Sequence, residues 1–232
     1  MKIALINGQN HKGSTYHIGR LLAEKLADSE NIHEVFLPKD MPNFCVGCAR
    51  CIIENENVCP HYKHMEPITQ LIDSADVLIF TSPVYVFHAT GSMKALLDHY
   101  AYRWMSHRPE EKMYRKQGVV ISTAAGAGMK STIKDIRDSF LWWGVGRIYS
   151  YGIGVQAISW AEVADKKRAK IESKTDHLAK AIARREGAVK PSLKTRFLFE
   201  IMRLMEKKPW NPVDGGYWKE KGWMSSERPW KS

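Results

Sequence analysis

The chain has 232 residues, 44% of them hydrophobic, and a formal net charge of +10. This length can bury one large core, or one domain with an extension. No run of about eighteen apolar residues is present, so no membrane span is expected, and no recognition motif accompanies the charge, so it does not indicate nucleic-acid binding.

Strand-like and helical segments alternate along most of the chain. Short apolar runs predict strands at residues 2–7, 33–37, 77–81, 118–122 and 148–155. Helical spacing of apolar residues predicts helices at 14–27, 65–75, 92–104, 129–143 and 160–185. This alternation predicts an α/β protein with a parallel sheet and helices on both faces.

The N-terminus enters the first strand at once and lacks the long apolar stretch and cleavage site of a signal peptide. We therefore expect a cytoplasmic protein. In that compartment cysteines stay reduced or bind metal.

All four cysteines lie within fifteen residues, as Cys45-x2-Cys48-x2-Cys51-x7-Cys59 followed by Pro60. Disulfide frameworks belong to small secreted domains, so this spacing indicates another use. Four thiolates on one loop suit an iron–sulfur cluster or a structural zinc. Free thiols on a surface loop are the remaining interpretation.

The three loops that follow strands one, three and four are unusual. In a doubly wound sheet, ligands bind beyond the carboxyl ends of the strands. Loop 8–15 carries glycines, Ser14 and Thr15 before a helix, a pattern that suits a phosphate. Loop 82–91 holds Pro83 and the aromatic residues Tyr85 and Phe87, which can lie along a flat redox-active ring. Loop 123–128 has little side chain and can border the ring's other edge.

The region from residue 187 to 232 differs in composition. Residues 192–208 form a basic amphipathic helical pattern. The aromatic residues beyond it carry too much apolar area for a disordered tail. We expect a C-terminal extension that packs on its own domain, residues 1–186, or on a neighbouring subunit. A helix lying on a membrane surface is the alternative.

These loops and the cysteine run after strand two resemble the NADPH-dependent FMN reductase group of the flavodoxin-like fold. Within that group the chain is similar to the iron–sulfur flavoproteins. The resemblance rests on loop 8–15, on Ser82-Pro-Val-Tyr85 with Gly91-Ser-Met-Lys94, and on stretch 123–128. It implies a three-layer sheet of five parallel strands in the order 2-1-3-4-5, a homodimer or homotetramer, and electron transfer through FMN.

The resemblance also implies functions for individual residues. The FMN phosphate would bind to Gln9, Asn10, His11, Lys12, Gly13, Ser14 and Thr15. The isoalloxazine ring would lie along Pro83, Val84, Tyr85, Val86 and Phe87, bordered by Thr123, Ala124, Ala125, Gly126 and Gly128. Cys45, Cys48, Cys51 and Cys59 would ligate a [4Fe-4S] cluster. Relatives often carry Ser and Arg in the phosphate loop, where this chain has Gln9 and His11, which shifts phosphate binding toward backbone groups.

Three functions are therefore open. The leading one is an FMN-dependent oxidoreductase that passes electrons between a reduced donor, the cluster and FMN, with NAD(P)H as a candidate donor and a redox protein or small molecule as acceptor. The second is a metal-free NAD(P)H-dependent FMN or quinone reductase. The third is a zinc-stabilised binding module that is not an enzyme. No catalytic side chain is assigned beyond the weak candidates Tyr85 and His88.

Overall fold

The computed structural model describes residues 1–231, and its centre is a five-stranded sheet with the strand order β2-β1-β3-β4-β5. All neighbouring strands are parallel. The strands are β1 Ile3–Asn7, β2 Ile32–Phe36, β3 Val77–Thr81, β4 Gln117–Ala124 and β5 Arg147–Gly154. The predicted flavodoxin-like fold and strand order are confirmed. Ser232, the last residue of the predicted extension, lies outside the described residues.

Eight α-helices accompany the sheet in the described part of the chain. They are α1 Ser14–Glu24, α2 Arg50–Ile53, α3 Tyr62–Ser74, α4 Gly91–His99, α5 Met129–Trp142, α6 Asp165–Ala183, α7 Leu193–Met205 and α8 Pro212–Glu220. Within residues 1–231, none of them has the length and apolar content that crossing a membrane requires.

Two helices fall five residues short of the predicted range at one end. The helix expected at 92–104 ends at His99, and a separate 3-10 turn, Ala101–Arg103, follows it. The helix expected from residue 160 begins at Asp165. There a 3-10 turn, Trp160–Glu162, comes first, because a capping box between Ser159 and Glu162 closes that turn and the chain is extended at Val163.

Helices cover both faces of the sheet. Side chains alternate between the faces along each strand, so neighbouring residues join different cores. Ile3 and Leu5 of β1 pack with Ile18 and Leu22 of α1, in a core that α6 completes. Ala4 and Ile6 face the opposite core, built with α3, α4 and α5. This arrangement leaves the carboxyl ends of the strands open for a ligand.

The C-terminal helices α7 and α8 form a third apolar cluster. Phe199, Trp218 and Trp223 are buried there against Met105 and Tyr114 of the sheet domain. A buried tryptophan removes about 150–250 Å² from water, or about 4–6 kcal/mol at roughly 25 cal/mol per Å², before entropy costs. This cluster therefore anchors α7 and α8 to the domain.

Candidate functional site

A cleft of about 180 Å³ opens at the carboxyl edge of the sheet, where the loops after β1, β3 and β4 meet. The lining residues that were predicted from the sequence are Gln9, His11, Gly13, Ser14, Thr15, Pro83, Val84, Tyr85, Thr123, Ala124 and Ala125. Larger cavities of about 620 and 780 Å³ lie elsewhere and are lined mostly by charged side chains. The site is assigned to the smaller cleft because three unusual loops converge there.

The start of α1 forms one end of this cleft. Its N-cap residue, Gly13, supplies no side-chain cap, so the first-turn N–H groups have no capping partner. The hydroxyl of Ser14 is buried and makes no hydrogen bond within the protein. Free N–H groups, a helix dipole and an unpartnered hydroxyl together suit a phosphate.

The backbone of Gly8 is held close to the loop after β3. Its carbonyl accepts hydrogen bonds from Thr90 Oγ1 at 2.5 Å and Ser92 Oγ at 2.9 Å. A Cβ atom at Gly8 would lie 2.9 Å from the carbonyl oxygen of Thr81, closer than real contacts allow. Loop 8–15 is thus fixed to the start of α4, and the position of Gly8 requires glycine.

A tight turn forms the rim next to Pro83. The backbone of Tyr85 exchanges hydrogen bonds with that of His88, at 2.9 and 3.0 Å. Val86 and Phe87 between them have φ values of +48° and +66°. A β-branched residue in this region is a backbone outlier, a feature that concentrates at functional sites. The Tyr85 hydroxyl donates to Gln9 Oε1 at 3.2 Å, which joins the first two loops.

Six of the predicted cofactor residues do not line the cleft, namely Asn10, Lys12, Val86, Phe87, Gly126 and Gly128. Lys12 instead has its Nζ 5.1 Å from the centre of the Tyr16 ring. Gly128 has a φ of +96°, and a Cβ there would meet Val84 Cγ1 at 2.5 Å. Gly128 therefore packs against Val84 in the loop after β3.

The weak catalytic candidate His88 also lies outside the lining. Its Nδ1 is 3.0 Å from Asp135 Oδ2, and its side chain is mostly exposed. Asp135 accepts a second hydrogen bond from the Ala89 backbone. This pair fixes the end of the Tyr85 turn to α5.

Three lining residues come from a loop that the sequence analysis did not select. Val155, Ala157 and Ile158 follow β5 and complete the cleft wall. The backbone N–H of Val155 donates to the carbonyl of Ala124 at 2.9 Å. The sequence pattern could have indicated this loop, since β5 was predicted as a parallel strand and its carboxyl end therefore opens at the same edge of the sheet.

The four cysteines lie in the segment between β2 and α3. Cys45 and Cys48 are exposed, Cys51 and Cys59 are half-buried, and all four are free thiols. Burial raises the pKa of Cys51 to about 11, and the nearby Cys59, Cys45 and Cys48 add to the rise while Arg108 opposes it. All three other cysteines therefore lie near Cys51.

The half of this segment around Cys51 is held by Arg108 of the sheet domain together with the C-terminal extension. Arg108 donates hydrogen bonds to the carbonyls of Cys51 and Ile52, the second at 2.9 Å. Asn211 Nδ2 also donates to the Ile52 carbonyl, at 3.0 Å. Both donors contact the carboxylate of Asp214, which is 1% exposed. Cys51 therefore has a fixed backbone, whereas Cys45 and Cys48 lie on an open stretch.

Comparison with protein families gives one match. Residues 1–157 match the family model described as NADPH-dependent FMN reductase. An iron–sulfur flavoprotein of Archaeoglobus fulgidus is 27% identical over 220 residues, which cover 88% of this chain and 92% of that protein. An iron–sulfur flavoprotein of Methanosarcina thermophila is 26% identical over 142 residues, 60% of this chain and 72% of that protein.

Solved structures share the fold at lower identity. An FMN-dependent NADH-azoreductase from Bacillus anthracis, in complex with FMN, is similar with a TM-score of 0.56 and 15% identity, over 77% of this chain and all of that one. An NAD(P)H:quinone oxidoreductase from Methanothermobacter marburgensis gives a TM-score of 0.57 and 14% identity, over 79% and 97%. These two comparisons concern the arrangement of the sheet and helices.

Proposed function

The chain belongs to the NADPH-dependent FMN reductase family, and on this premise we propose that it transfers electrons between a reduced donor, a [4Fe-4S] cluster and FMN. Family membership makes it a flavin oxidoreductase and sets aside the hypothesis of a binding module without enzymatic activity. The observation that carries the finer proposal is the set of four free thiols within one fifteen-residue segment of a flavin-family fold.

The cleft has the donors that FMN requires. The N–H groups at the start of α1 and the unpartnered Ser14 hydroxyl would hold the phosphate. Pro83, Val84 and Tyr85 would lie along the ring, with Thr123–Ala125 on its other border. The flavin would supply the redox chemistry, since it can take up an electron pair and release electrons singly. The chain's own contribution is to bind, orient and limit water access.

Cys45, Cys48, Cys51 and Cys59 would hold the cluster, whose chemistry is one-electron transfer. The donor set supports this assignment, because thiolates select iron–sulfur clusters and other thiophilic centres. Arg108 and Asn211 fix the backbone that carries Cys51. The relatives named iron–sulfur flavoprotein add support, since one of them matches along 92% of its length.

We further propose NAD(P)H as a donor, a redox protein or small molecule as acceptor, and a homodimer or homotetramer as the working unit. Val86 and Ile158, at the rim of the cleft, are 93% and 97% exposed. A second subunit over this rim would cover apolar side chains and exclude water from the ring. Sedimentation of the intact protein measures the assembly.

The iron-to-flavin ratio of anaerobically purified protein tests the proposal. We expect about four irons per FMN. We also expect Cys45→Ser to lose iron and keep FMN, because the two cofactors use different loops. Flavin without iron in the unmodified protein would contradict the cluster and leave the metal-free NAD(P)H-dependent reductase.

A further inference from the structure

A cysteine and two histidines meet at the end of α4, away from the flavin cleft. The sulfur of Cys59 and one ring nitrogen each of His61 and His99 all lie within 4.8 Å of one another. Among residues 1–231 this is the one group of three or more potential metal ligands so arranged, and it contains only one of the four cysteines. The residues come from separate elements, since His99 ends α4 while Cys59 and His61 precede α3.

The hydrogen bonds of His99 set its tautomer. Its Nδ1 lies 2.7 Å from the carbonyl oxygen of Ala95, which can only accept, so Nδ1 carries the proton. The lone pair is therefore on Nε2, which lies 2.9 Å from Nδ1 of His61 and accepts its hydrogen bond. A histidine that donates one N–H to a backbone carbonyl and presents its other nitrogen is the usual arrangement in metal sites. His99 is 4% exposed, so its ring is held in place.

We propose that Cys59, His61 and His99 bind a single thiophilic divalent cation, such as Zn²⁺, in the form of the protein that lacks the cluster. One thiolate and two imidazoles suit zinc or cobalt, and not magnesium or calcium. The fourth position is left for water, because the group supplies three ligands. The claim that the cluster excludes this ion rests on the proposed function, because Cys59 would be a ligand of either one. Binding of the ion itself does not depend on the proposed function.

The dimensions require only a small adjustment. With Zn–N near 2.0–2.1 Å and Zn–S near 2.3 Å, tetrahedral ligands lie about 3.3 Å apart for two nitrogens and about 3.6 Å for nitrogen and sulfur. The two ring nitrogens must separate by about 0.4 Å, and the sulfur must approach them by about 1.2 Å at most. His61 is half-buried, so its ring is less confined than that of His99.

Binding would redistribute two protons. The Cys59 thiol would lose its proton to solvent as the sulfur binds the cation. The ion would take the place of the proton between the two rings, and His61 would carry its proton on Nε2 instead of Nδ1. One proton is therefore released for each ion bound.

Cobalt binding by the full-length, FMN-containing protein tests the proposal after its iron has been removed with a chelator. We expect one Co²⁺ per chain, with thiolate-to-cobalt charge transfer and visible bands beyond the flavin absorption. Cys59→Ser and His61→Ala should weaken binding at least tenfold. His64→Ala is the matched control, since His64 lies on the same segment and outside the group, and it should bind as the unmodified protein does.

His99 is buried, so His99→Asn could disturb the fold. Its cobalt affinity is therefore compared only if its circular dichroism spectrum is unchanged, and otherwise the test rests on His61→Ala. Binding that survives both Cys59→Ser and His61→Ala would overturn the proposal, and so would the absence of any cobalt site. Loss of cobalt binding in Cys45→Ser would also overturn the proposal, since it would show that the other thiols bind the ion. Rebuilding the cluster in the cobalt-loaded protein should release one equivalent of cobalt, and cobalt retained beside a full complement of iron would refute the exclusion. The iron count of the untreated protein is a separate measurement, so failure of the cluster and failure of this site are distinguishable.

Discussion

The guanidinium of Arg108 lies 2.7 Å from the carboxylate of Asp214, in a pair whose side chains are 9% and 1% exposed. Asp214 belongs to α8, and Arg108 contacts the carbonyls of Cys51 and Ile52 with the same group. One arginine thus connects the C-terminal extension to the cysteine segment. Removing one partner of a buried pair leaves an uncompensated charge, which is costly.

We expect Arg108→Ala to lower the free energy of unfolding by about 3 kcal/mol, the low end for a broken buried pair, since Asp214 then keeps only His107 and Asn211 as partners in the interior. It should also lower the iron content while FMN content stays close to normal. Urea unfolding and an iron assay measure the two effects. Arg50→Ala is the control, because its ion pair with Glu54 is about half exposed and is screened by water. Equal iron retention in both variants would count against a positioning role for Arg108.

Glu206 gives the stability a predictable dependence on pH. Its Oε2 is buried without a hydrogen-bond partner, and burial, helped by the charge of Asp214, raises its pKa to about 7. A carboxyl with a raised folded-state pKa binds its proton more tightly in the folded protein. Its contribution therefore favours folding below the unfolded pKa near 4.3 and is lost as the pH rises to about 7.

We expect the free energy of unfolding to fall by about 2 kcal/mol between pH 5 and pH 8 through this group, a value reduced from the full shift because Glu206 keeps some solvent contact. Glu206→Gln should flatten that part of the profile, and the exposed Glu220→Gln should not. Urea midpoints across the pH range provide the measurement. An unchanged slope in Glu206→Gln would show that another group titrates.

Gly128→Ala should weaken FMN binding about tenfold. An alanine there has an unfavourable φ of +96°, and its Cβ meets Val84 beside the cleft. Gly187→Ala is the control, because it introduces the same kind of backbone strain without displacing a neighbouring side chain. Gly187 has a φ of +67° with open space around it. That control should lose about 1–2 kcal/mol of stability and bind FMN normally. Fluorescence titration of the flavin-free protein gives both dissociation constants, and equal values would refute the supporting role of Gly128.

Thr90→Ala should affect both α4 and the phosphate loop. Thr90 caps α4 by accepting from Met93 N at 3.2 Å, and it donates to the Gly8 carbonyl. We expect a stability loss of about 1 kcal/mol and a several-fold weaker affinity for FMN. Ser192→Ala removes the comparable cap of α7, far from the cleft, and should cost similar stability with no change in affinity. Similar FMN affinity in the two variants would contradict a connection between Thr90 and FMN binding through the Gly8 carbonyl.

The sheet and the main loops could be predicted because their signals are local. Residues 77–81 form a continuous apolar run and are a strand buried along its whole length. The strand order sets which loops meet, so Ser14, Tyr85 and Thr123 could be brought together from the chain alone. Helix ends were less predictable. The apolar pattern of residues 92–104 continues past His99, and only tertiary packing decides that α4 stops there.

Contacts between distant polar residues carry no such signal. Asn211 and Ile52 are 159 positions apart, and arginine, asparagine and aspartate are ordinary surface residues in a sequence. Helix α8 was missed because it begins with Pro212 and contains Gly215 and Gly216, which have low helix propensity. The buried Trp218 and the Asn211 cap offset that propensity. His61 and His99 likewise pair across 38 positions.

The short helix α4 begins at Gly91, next to Thr90 and the cleft at the carboxyl edge of the sheet, and ends at His99 beside Cys59. Its nine residues span about 13 Å. One inserted or deleted residue would rotate one end by about 100° and shift it by about 1.5 Å relative to the other. The exposed side chains of α4 can therefore vary among homologues while the length of the helix stays fixed. We expect an alignment of homologues to contain no gap between Gly91 and His99.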